Sequence, residues 1–265
     1  MSFSAKIILD SVSKAGKRLT TFELTYPRFI HSQVLTHRLF SRNSASSRAI
    51  PTKKMLEMVD SDPAMPIYWG KNKKGMSASK EINDISSAKA YWLAARNNAV
   101  FWAKQLYSLG VHKQIVNRIV EPWKFITIIC TATEWSNFYS LRRHDDAQPE
   151  MQLLANLMYD AQEKSIPVER IWHIPYIQED EKDLPLDTKC RISVARCARV
   201  SYLTHNGKRD IEKDLSLYDR LLTGSGFGHF SPFEPVAKAS DNPDERSGNF
   251  VGWIQYRKLF AGECQ

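Results

Sequence analysis

One segment constrains this chain more than any other: His37-Arg38-Leu39-Phe40-Ser41-Arg42-Asn43-Ser44-Ala45-Ser46-Ser47-Arg48. Its twelve residues hold three arginines, one histidine, one asparagine and four serines, and no acid. Such a run is a poor core element, because buried cations and hydroxyls are costly unless each is paired. It suits the binding of phosphates, since it supplies guanidinium forks, hydroxyl donors and an imidazole in one short span. A second polar run, Asn137-Phe138-Tyr139-Ser140-Leu141-Arg142-Arg143-His144-Asp145-Asp146-Ala147-Gln148-Pro149-Glu150, follows about a hundred residues later.

The chain has 265 residues and 43% hydrophobic content, enough to bury a proper core. No run of eighteen apolar residues occurs, so no membrane span is expected. Met1-Ser2-Phe3-Ser4-Ala5-Lys6 lacks the apolar core of a signal peptide, and the expectation is a cytoplasmic protein. Cys130, Cys190, Cys197 and Cys264 form no CxxC pair and no zinc set, so no metal is expected and the thiols read as free. A net charge of +8 suits an anionic partner: nucleic acid, a nucleotide or a phosphorylated cofactor. Lys71-Asn72-Lys73-Lys74 reads as a solvated loop.

Apolar periodicity predicts a strand over Lys6 to Val12 and a partner over Leu19 to Tyr26, with Phe22, Leu24 and Tyr26 on one face. Pro27 then starts a helix over Arg28 to Phe40, with Ile30, Val34 and Leu35 as its apolar stripe. Ser41 to Ser47 should break that helix into a loop, because these side chains compete for backbone hydrogen bonds. Lys53 to Val59 reads as a short helix, and residues 61–82 are loop-rich. Ile85 to Leu109 reads as a long helix with Ala88, Trp92, Ala95, Ala99, Trp102 and Leu106 along one side, stopped by Gly110. Another helix, Val111 to Val120, should bury Val111, Ile115 and Ile119 and present Gln114 and Arg118 elsewhere. Phe125 to Cys130 fits either a buried strand or a buried helix. Asp146 is placed to cap a helix whose first turn holds Pro149 and Glu150. Residues 165–190 read as a connecting stretch, Val194 to Tyr202 as strand or helix, and Ile211 to Leu222 as an amphipathic helix.

The string Gly224-Ser225-Gly226-Phe227-Gly228 is no dinucleotide fingerprint, since a helix precedes it and Pro232 follows. Taken singly, His37 and His229 are ordinary structural histidines, Arg118 and Arg142 surface cations near helix ends, and Glu234 a cap. They become a site only if their segments meet in space.

Several segments together resemble the flavin-dependent thymidylate synthases. That family's signature is Arg-His-Arg, two residues, Ser, one residue, Asn, two residues, Ser, one residue, Arg. This chain reads Thr36-His37-Arg38, Ser41, Asn43, Ser46, Arg48, with Gln33 upstream. Asn137, Arg142 and Ala147-Gln148-Pro149-Glu150 resemble a second family run, and Arg118 with Pro122 a third. The family's N-terminal block is similar to Ala198-Arg199-Val200-Ser201 and Gly228-His229-Phe230-Ser231-Pro232-Phe233-Glu234, here displaced toward the C-terminus, at about 195–235. The chain therefore looks like a circularly permuted, phage-type member in one domain over 1–265, which is reasonable where termini lie close together. Thr36 stands for the motif's first Arg, Ser44 for a Glu, and Pro235 for a His.

The resemblance implies an α+β fold with a central, mostly antiparallel sheet and long helices packed on it. It implies reductive methylation of dUMP at C5 to dTMP, with methylenetetrahydrofolate giving the carbon and FAD, reduced by NADPH, the hydride. Arg142 would polarise the pyrimidine, in the absence of a cysteine motif. Gln33, Ser44, Ser46, Arg48 and Arg118 would join it in holding the nucleotide. His37, Arg38, Ser41, Asn43, Asn137, Ser201, Ser231 and Glu234 would contact FAD, and His229 would stack on folate or flavin. The family's site lies between subunits of a homotetramer. Methylation or hydroxymethylation of dUMP or dCMP for modified nucleotides is an alternative within the same chemistry. A basic nucleic-acid-binding protein without catalysis is the alternative from another class.

Overall fold

Leu19, Thr20, Thr21 and Phe22 are all buried, so the strand that carries them is covered on both faces. It is the centre of the fold. The computed structural model describes residues 3–202, 209–223, 228–260 and 263, with the backbone alone at 201 and 202. Strand β1 (Ser4–Val12) turns at Gly16, which takes φ +80, into β2 (Arg18–Pro27), as the alternation predicts. Then follow α1 (His31–Leu35), β3 (Ser41–Ser44), α2 (Thr52–Ser61), α3 (Ile85–Ser108), α4 (Lys113–Ile119), β4 (Phe125–Ala132), α5 (Ser136–Arg142) and α6 (Pro149–Glu163). Two short strands, β5 (Val168–Glu169) and β6 (Trp172–His173), lead to α7 (Leu186–Ala198) and α8 (Ile211–Thr223). The chain closes with β7 (Ala237–Ala239), β8 (Arg246–Ser247), β9 (Phe250–Val251) and β10 (Trp253–Gln255).

The main sheet has the order β3-β4-β2-β1-β5, antiparallel except for the β1–β5 pair. The α+β expectation holds. On one face Phe22, Leu24 and Tyr26 pair with Cys130, Ile128 and Ile126 and pack with Met151, Leu154, Ala155 and Met158 of α6. On the other face Thr21 meets His173, and Leu19 packs with Ala237, Phe250 and Trp253. Helices α2, α3 and α4 form a second apolar cluster through Met55, Val59, Val100, Ala103, Val116 and Val120.

Several sequence expectations are corrected. The helix from Arg28 to Phe40 is a 3₁₀ turn followed by five residues of α-helix. The serine-rich stretch is a strand at its start: Ser41 to Ser44 pair with Thr131 to Ile128, so β4 supplies the ladder bonds that the local side chains were expected to divert. Two open alternatives resolve: Phe125 to Ala132 is a strand, and Val194 to Tyr202 is helix and 3₁₀ turn. Gln148, not Asp146, is the N-cap of α6. Trp102 and Ile115 are 59% and 54% exposed, because the buried faces run through Val100 and Ala103 and through Val116 and Val120. The stretch over 165–190 holds a buried ion pair, Glu181 to Arg196 at 2.6 Å, rather than a mere connection.

Candidate active site

Period-two alternation divides the opening motif between two jobs. Ser41 and Asn43 point to one side of β3. Ser41 Oγ donates to Glu234 Oε2 at 2.7 Å, and Asn43 Nδ2 donates to the Cys197 carbonyl at 2.5 Å. Glu234 Oε1 also accepts from Arg257 Nη1 at 2.6 Å. The segments around 195–235 are thereby tied to the motif, although most of the chain lies between them in sequence. Arg42 serves the other side. Its Nη1 donates to the carbonyls of Leu35 at 2.7 Å and His37 at 3.1 Å, closing the C-terminal end of α1. Sequence reasoning gave Arg42 no separate role; the signal was its place between Ser41 and Asn43 in an alternating run.

Thr36, His37 and Arg38 follow α1 and face α5. Arg142, the last residue of α5, donates through Nε to His37 Nε2 at 2.8 Å. Its Nη2 lies 3.3 Å from Thr36 Oγ1, which donates to the Gln33 carbonyl at 2.6 Å. A guanidinium only donates, so His37 Nε2 must be bare and the ring proton must sit on Nδ1. Burial, followed by the charges of Arg142 and Arg42, lowers the His37 pKa to about 4, which keeps the ring neutral. The ring stands edge-on to Phe138 at 4.9 Å and stacks on Phe40 at 5.7 Å. Beside this clamp is a cavity of about 190 Å³ lined by Thr36 to Phe40, Glu134, Ser136, Asn137 and Phe138. Glu134 was not singled out in the sequence, and only its neighbourhood to Asn137 could have flagged it.

A second group lies at the far end of β3. Ser46 Oγ accepts the Arg48 backbone N–H at 3.3 Å, shaping a tight turn. Asn117 Nδ2 donates to the carbonyls of Ser47 and Ile50 at 2.8 and 2.9 Å and pins that turn to α4. Glu121 accepts from Ser47 Oγ and, at 2.9 Å, from Arg118 Nη1. Arg118 and Arg48 are both exposed, so this corner presents two cations and a turn to solvent. Ser44 faces the same side as Arg42, opposite Ile128. Four strand residues, about 13 Å at the usual rise, separate the two groups.

Gln33 is joined to the first group: its Nε2 donates to Gln148 Oε1. His229 and Ser231 are exposed and follow α8, with the His229 backbone N–H on the Leu221 carbonyl at 2.8 Å. The Ser201 side chain, most of the glycine string and Cys264 lie outside the described residues. The other three cysteines are buried. Burial pushes the Cys190 thiol up to about 12, and those of Cys130 and Cys197 higher still. None of these three can serve as a thiolate nucleophile. Among the described residues no group of three His, Cys, Asp or Glu side chains is placed to hold a metal, and no helix is long and apolar enough to cross a membrane.

The sequence profile of a family described as thymidylate synthase complementing protein matches residues 18–168. Among solved structures, the UMP/dUMP methylase PolB from Streptomyces cacaoi, bound with 5-Br dUMP, is similar at TM-score 0.50 and 14% identity, covering 62% of this chain and 91% of that one. The same methylase bound with 5-Br UMP gives 0.49 and 14%, covering 62% and 89%. A flavin-dependent thymidylate synthase from Helicobacter pylori, complexed with FAD and dUMP, gives 0.38 and 21%, covering 54% and 67%. The first likeness is one of fold. No curated protein sequence matches this chain.

Proposed function

This chain belongs to the thymidylate synthase complementing protein family, whose chemistry is pyrimidine C5 methylation, and from that premise we propose that it converts dUMP to dTMP using FAD, NADPH and methylenetetrahydrofolate. The observation that carries the reading is the Arg142–His37 clamp beside the cavity. C5 of uracil is a weak nucleophile. The described thiols are buried and protonated, and a fixed positive charge against the ring is a means of activating it. Arg142 is that charge, and the neutral His37 holds it without competing for it.

The residues present fit a flavin. The cavity lining joins the buried rings of Phe40 and Phe138 with the exposed Leu39, Arg38, Asn137 and Glu134. At about 190 Å³ it takes part of such a group, since whole cofactor sites run to roughly 300–1,000 Å³. His37, Arg38 and Asn137 would hold that part, with Ser231 and His229 on the exposed side. When bound, reduced FAD supplies the hydride and methylenetetrahydrofolate the carbon. Arg48, Arg118 and Ser46 hold the nucleotide phosphate, and Glu121 keeps Arg118 and the serine turn in place. Gln33 and Ser44 complete the nucleotide contacts. Ser41, Asn43 and Glu234 act by docking the C-terminal block against the motif.

Two features support a homotetramer with shared sites. The phosphate group and the base group stand at opposite ends of β3, and α3 exposes Tyr91, Phe101 and Trp102. The displaced block is read as a circular permutation: the family profile stops at residue 168, and the later segments pack on the motif through Glu234 and Cys197.

The test is to incubate the protein with FAD, NADPH, methylenetetrahydrofolate and either dUMP or dCMP, and to identify the product by mass. dTMP from dUMP is expected. A hydroxymethyl product, or turnover of dCMP alone, would replace this reading with modified-nucleotide synthesis. Bound flavin with no turnover of either nucleotide would refute it.

A further inference from the structure

Three side chains outside the arginine clamp form a chain of hydrogen bonds with a direction. Glu150, 2% exposed, is the second residue of α6. Its Oε1 accepts the Ile67 backbone N–H at 2.9 Å, and its Oε2 accepts from Gln148 Nε2 at 2.8 Å. An amide has one donating end and one accepting end. With its NH₂ on Glu150, Gln148 turns its Oε1 to Gln33, and Gln33 must answer with its own NH₂. With its NH₂ end on Gln148, the opposite end of the Gln33 amide is its carbonyl oxygen, to which no described residue donates. The Gln33 backbone carbonyl accepts from Thr36 Oγ1 at 2.6 Å, and that hydroxyl oxygen is 3.3 Å from Arg142 Nη2. The residue that carries the acceptor and the guanidinium that can only donate are thus joined through one hydroxyl, that of Thr36.

We propose that the Glu150–Gln148–Gln33 relay fixes Gln33 as a hydrogen-bond acceptor toward the substrate, and that this selects a uracil ring through its N3–H over a cytosine ring. The proposal rests on the nucleotide-binding reading of the site. Uracil carries its N3–H between two carbonyl oxygens, so a donor for Gln33 lies beside an acceptor for Arg142 whichever way the ring is turned. Cytosine has no hydrogen at N3. Its ring nitrogen would meet the Gln33 oxygen lone pair to lone pair, leaving both unsatisfied. Gln148 and Glu150 are positioning residues here, acting only through Gln33.

The relay also predicts its own inversion. In Glu150→Gln the Ile67 N–H still needs a carbonyl, so the new NH₂ faces Gln148. Gln148 must then accept, its NH₂ turns to Gln33, and Gln33 presents a donor to the substrate.

The experiment measures equilibrium affinity of the FAD-loaded protein for dUMP, dCMP and N3-methyl-dUMP by titration calorimetry. The wild type is expected to bind dUMP at least about tenfold tighter than either analogue, the scale of one unsatisfied polar group. In Glu150→Gln the dUMP-to-dCMP preference should shift by at least about tenfold toward dCMP. A second variant, Gln33→Ala, does not disturb buried Glu150. It should weaken dUMP about tenfold and remove the penalty for the N3-methyl group. Equal wild-type affinity for dUMP and N3-methyl-dUMP would overturn the relay. So would an unchanged preference in folded Glu150→Gln or, if that variant does not fold, in Gln33→Ala. Turnover of dUMP with no such discrimination would sink the relay alone. Failure of dUMP to bind at all, with flavin in place, would sink the synthase reading and the relay with it.

Discussion

His37→Phe isolates the clamp on Arg142. Phenylalanine keeps a ring between Phe40 and Phe138, so the aromatic packing at 5.7 and 4.9 Å is largely retained. What is lost is the acceptor for Arg142 Nε at 2.8 Å. A hydrogen bond with one charged partner contributes about 1.5–3 kcal/mol. If Arg142 is productive only when so held, kcat for dUMP should fall by about 10- to 150-fold. The nucleotide KM should move less, because Arg48 and Arg118, proposed to hold the phosphate, are untouched. His37→Gln returns an oxygen to the neighbourhood of Nε2 and should recover part of the loss. The assay is steady-state formation of dTMP, with thermal unfolding run beside it to show that both variants are folded. The pH profile gives an independent arm. With the His37 pKa lowered to about 4, Arg142 keeps its acceptor through the pH 6–7 range and loses it only near pH 4. Wild-type kcat in folded His37→Phe, or an activity step near pH 6.5 that His37→Gln abolishes, would refute the clamp.

Other consequences are structural. Asn43→Ala leaves the Cys197 carbonyl without its donor in a buried setting, and should cost about 1–3 kcal/mol by urea denaturation; no loss would show that the C-terminal block docks by other contacts. Asp214 lies 3.0 Å from Arg196 Nε and 2.7 Å from Arg199 Nη2, almost fully buried. Asp214→Ala should cost about 3–5 kcal/mol, because it takes the carboxylate from Arg199 and leaves Arg196 with the carboxylate of Glu181 alone, and a cost below about 1 kcal/mol would mean that water reaches them. His173 is fully buried between Thr21 Oγ1 and Ser11 Oγ, and burial lowers its pKa to about 3. Its neutral form is shared by folded and unfolded chains above pH 6.5. Between pH 6.5 and about 3 only the unfolded chain takes up the proton, so stability should fall as pH falls through that window, and a flat denaturation midpoint there would count against it.

The hairpin of β1 and β2 was legible because Phe22, Leu24 and Tyr26 alternate with polar partners, and a period of two admits one reading. The α3 and α6 helices were legible from length and from Pro149 at the helix start. The Ser41–Ser44 strand was not legible. Nothing in Ser-Arg-Asn-Ser favours a strand by propensity, and its ladder is supplied by β4, more than eighty residues away. The apolar stripes of α3 and α4 were misjudged for a related reason. Trp102 and Ile115 have the right spacing for a core face, but the tertiary contacts chose the neighbouring one. For the candidate site, residue types pointed to Arg142, Arg48 and Arg118. The partners that hold Arg142 and Arg118, namely His37, the Thr36 hydroxyl and Glu121, depend on which loops meet, and single-sequence spacing carries no such information.

The split along β3 accounts for how distant segments are brought together. A strand offers two faces, and in this motif they are occupied independently. Ser41 and Asn43 bind the C-terminal block, while Arg42 closes α1 and so fixes Thr36, His37 and Arg38 where Arg142 can meet them. The bonds to Glu234 and Cys197 are made by side chains across the face of the sheet. Their strength depends on local geometry and not on whether the block precedes or follows the motif in the chain. Chain order is thus a weak constraint on this architecture, whereas the identity of the two inward residues is a strong one: Ser41 must donate to a carboxylate and Asn43 to a carbonyl. A permuted arrangement needs to preserve only those two contacts and the burial beneath them to keep the α1 end of the site in place.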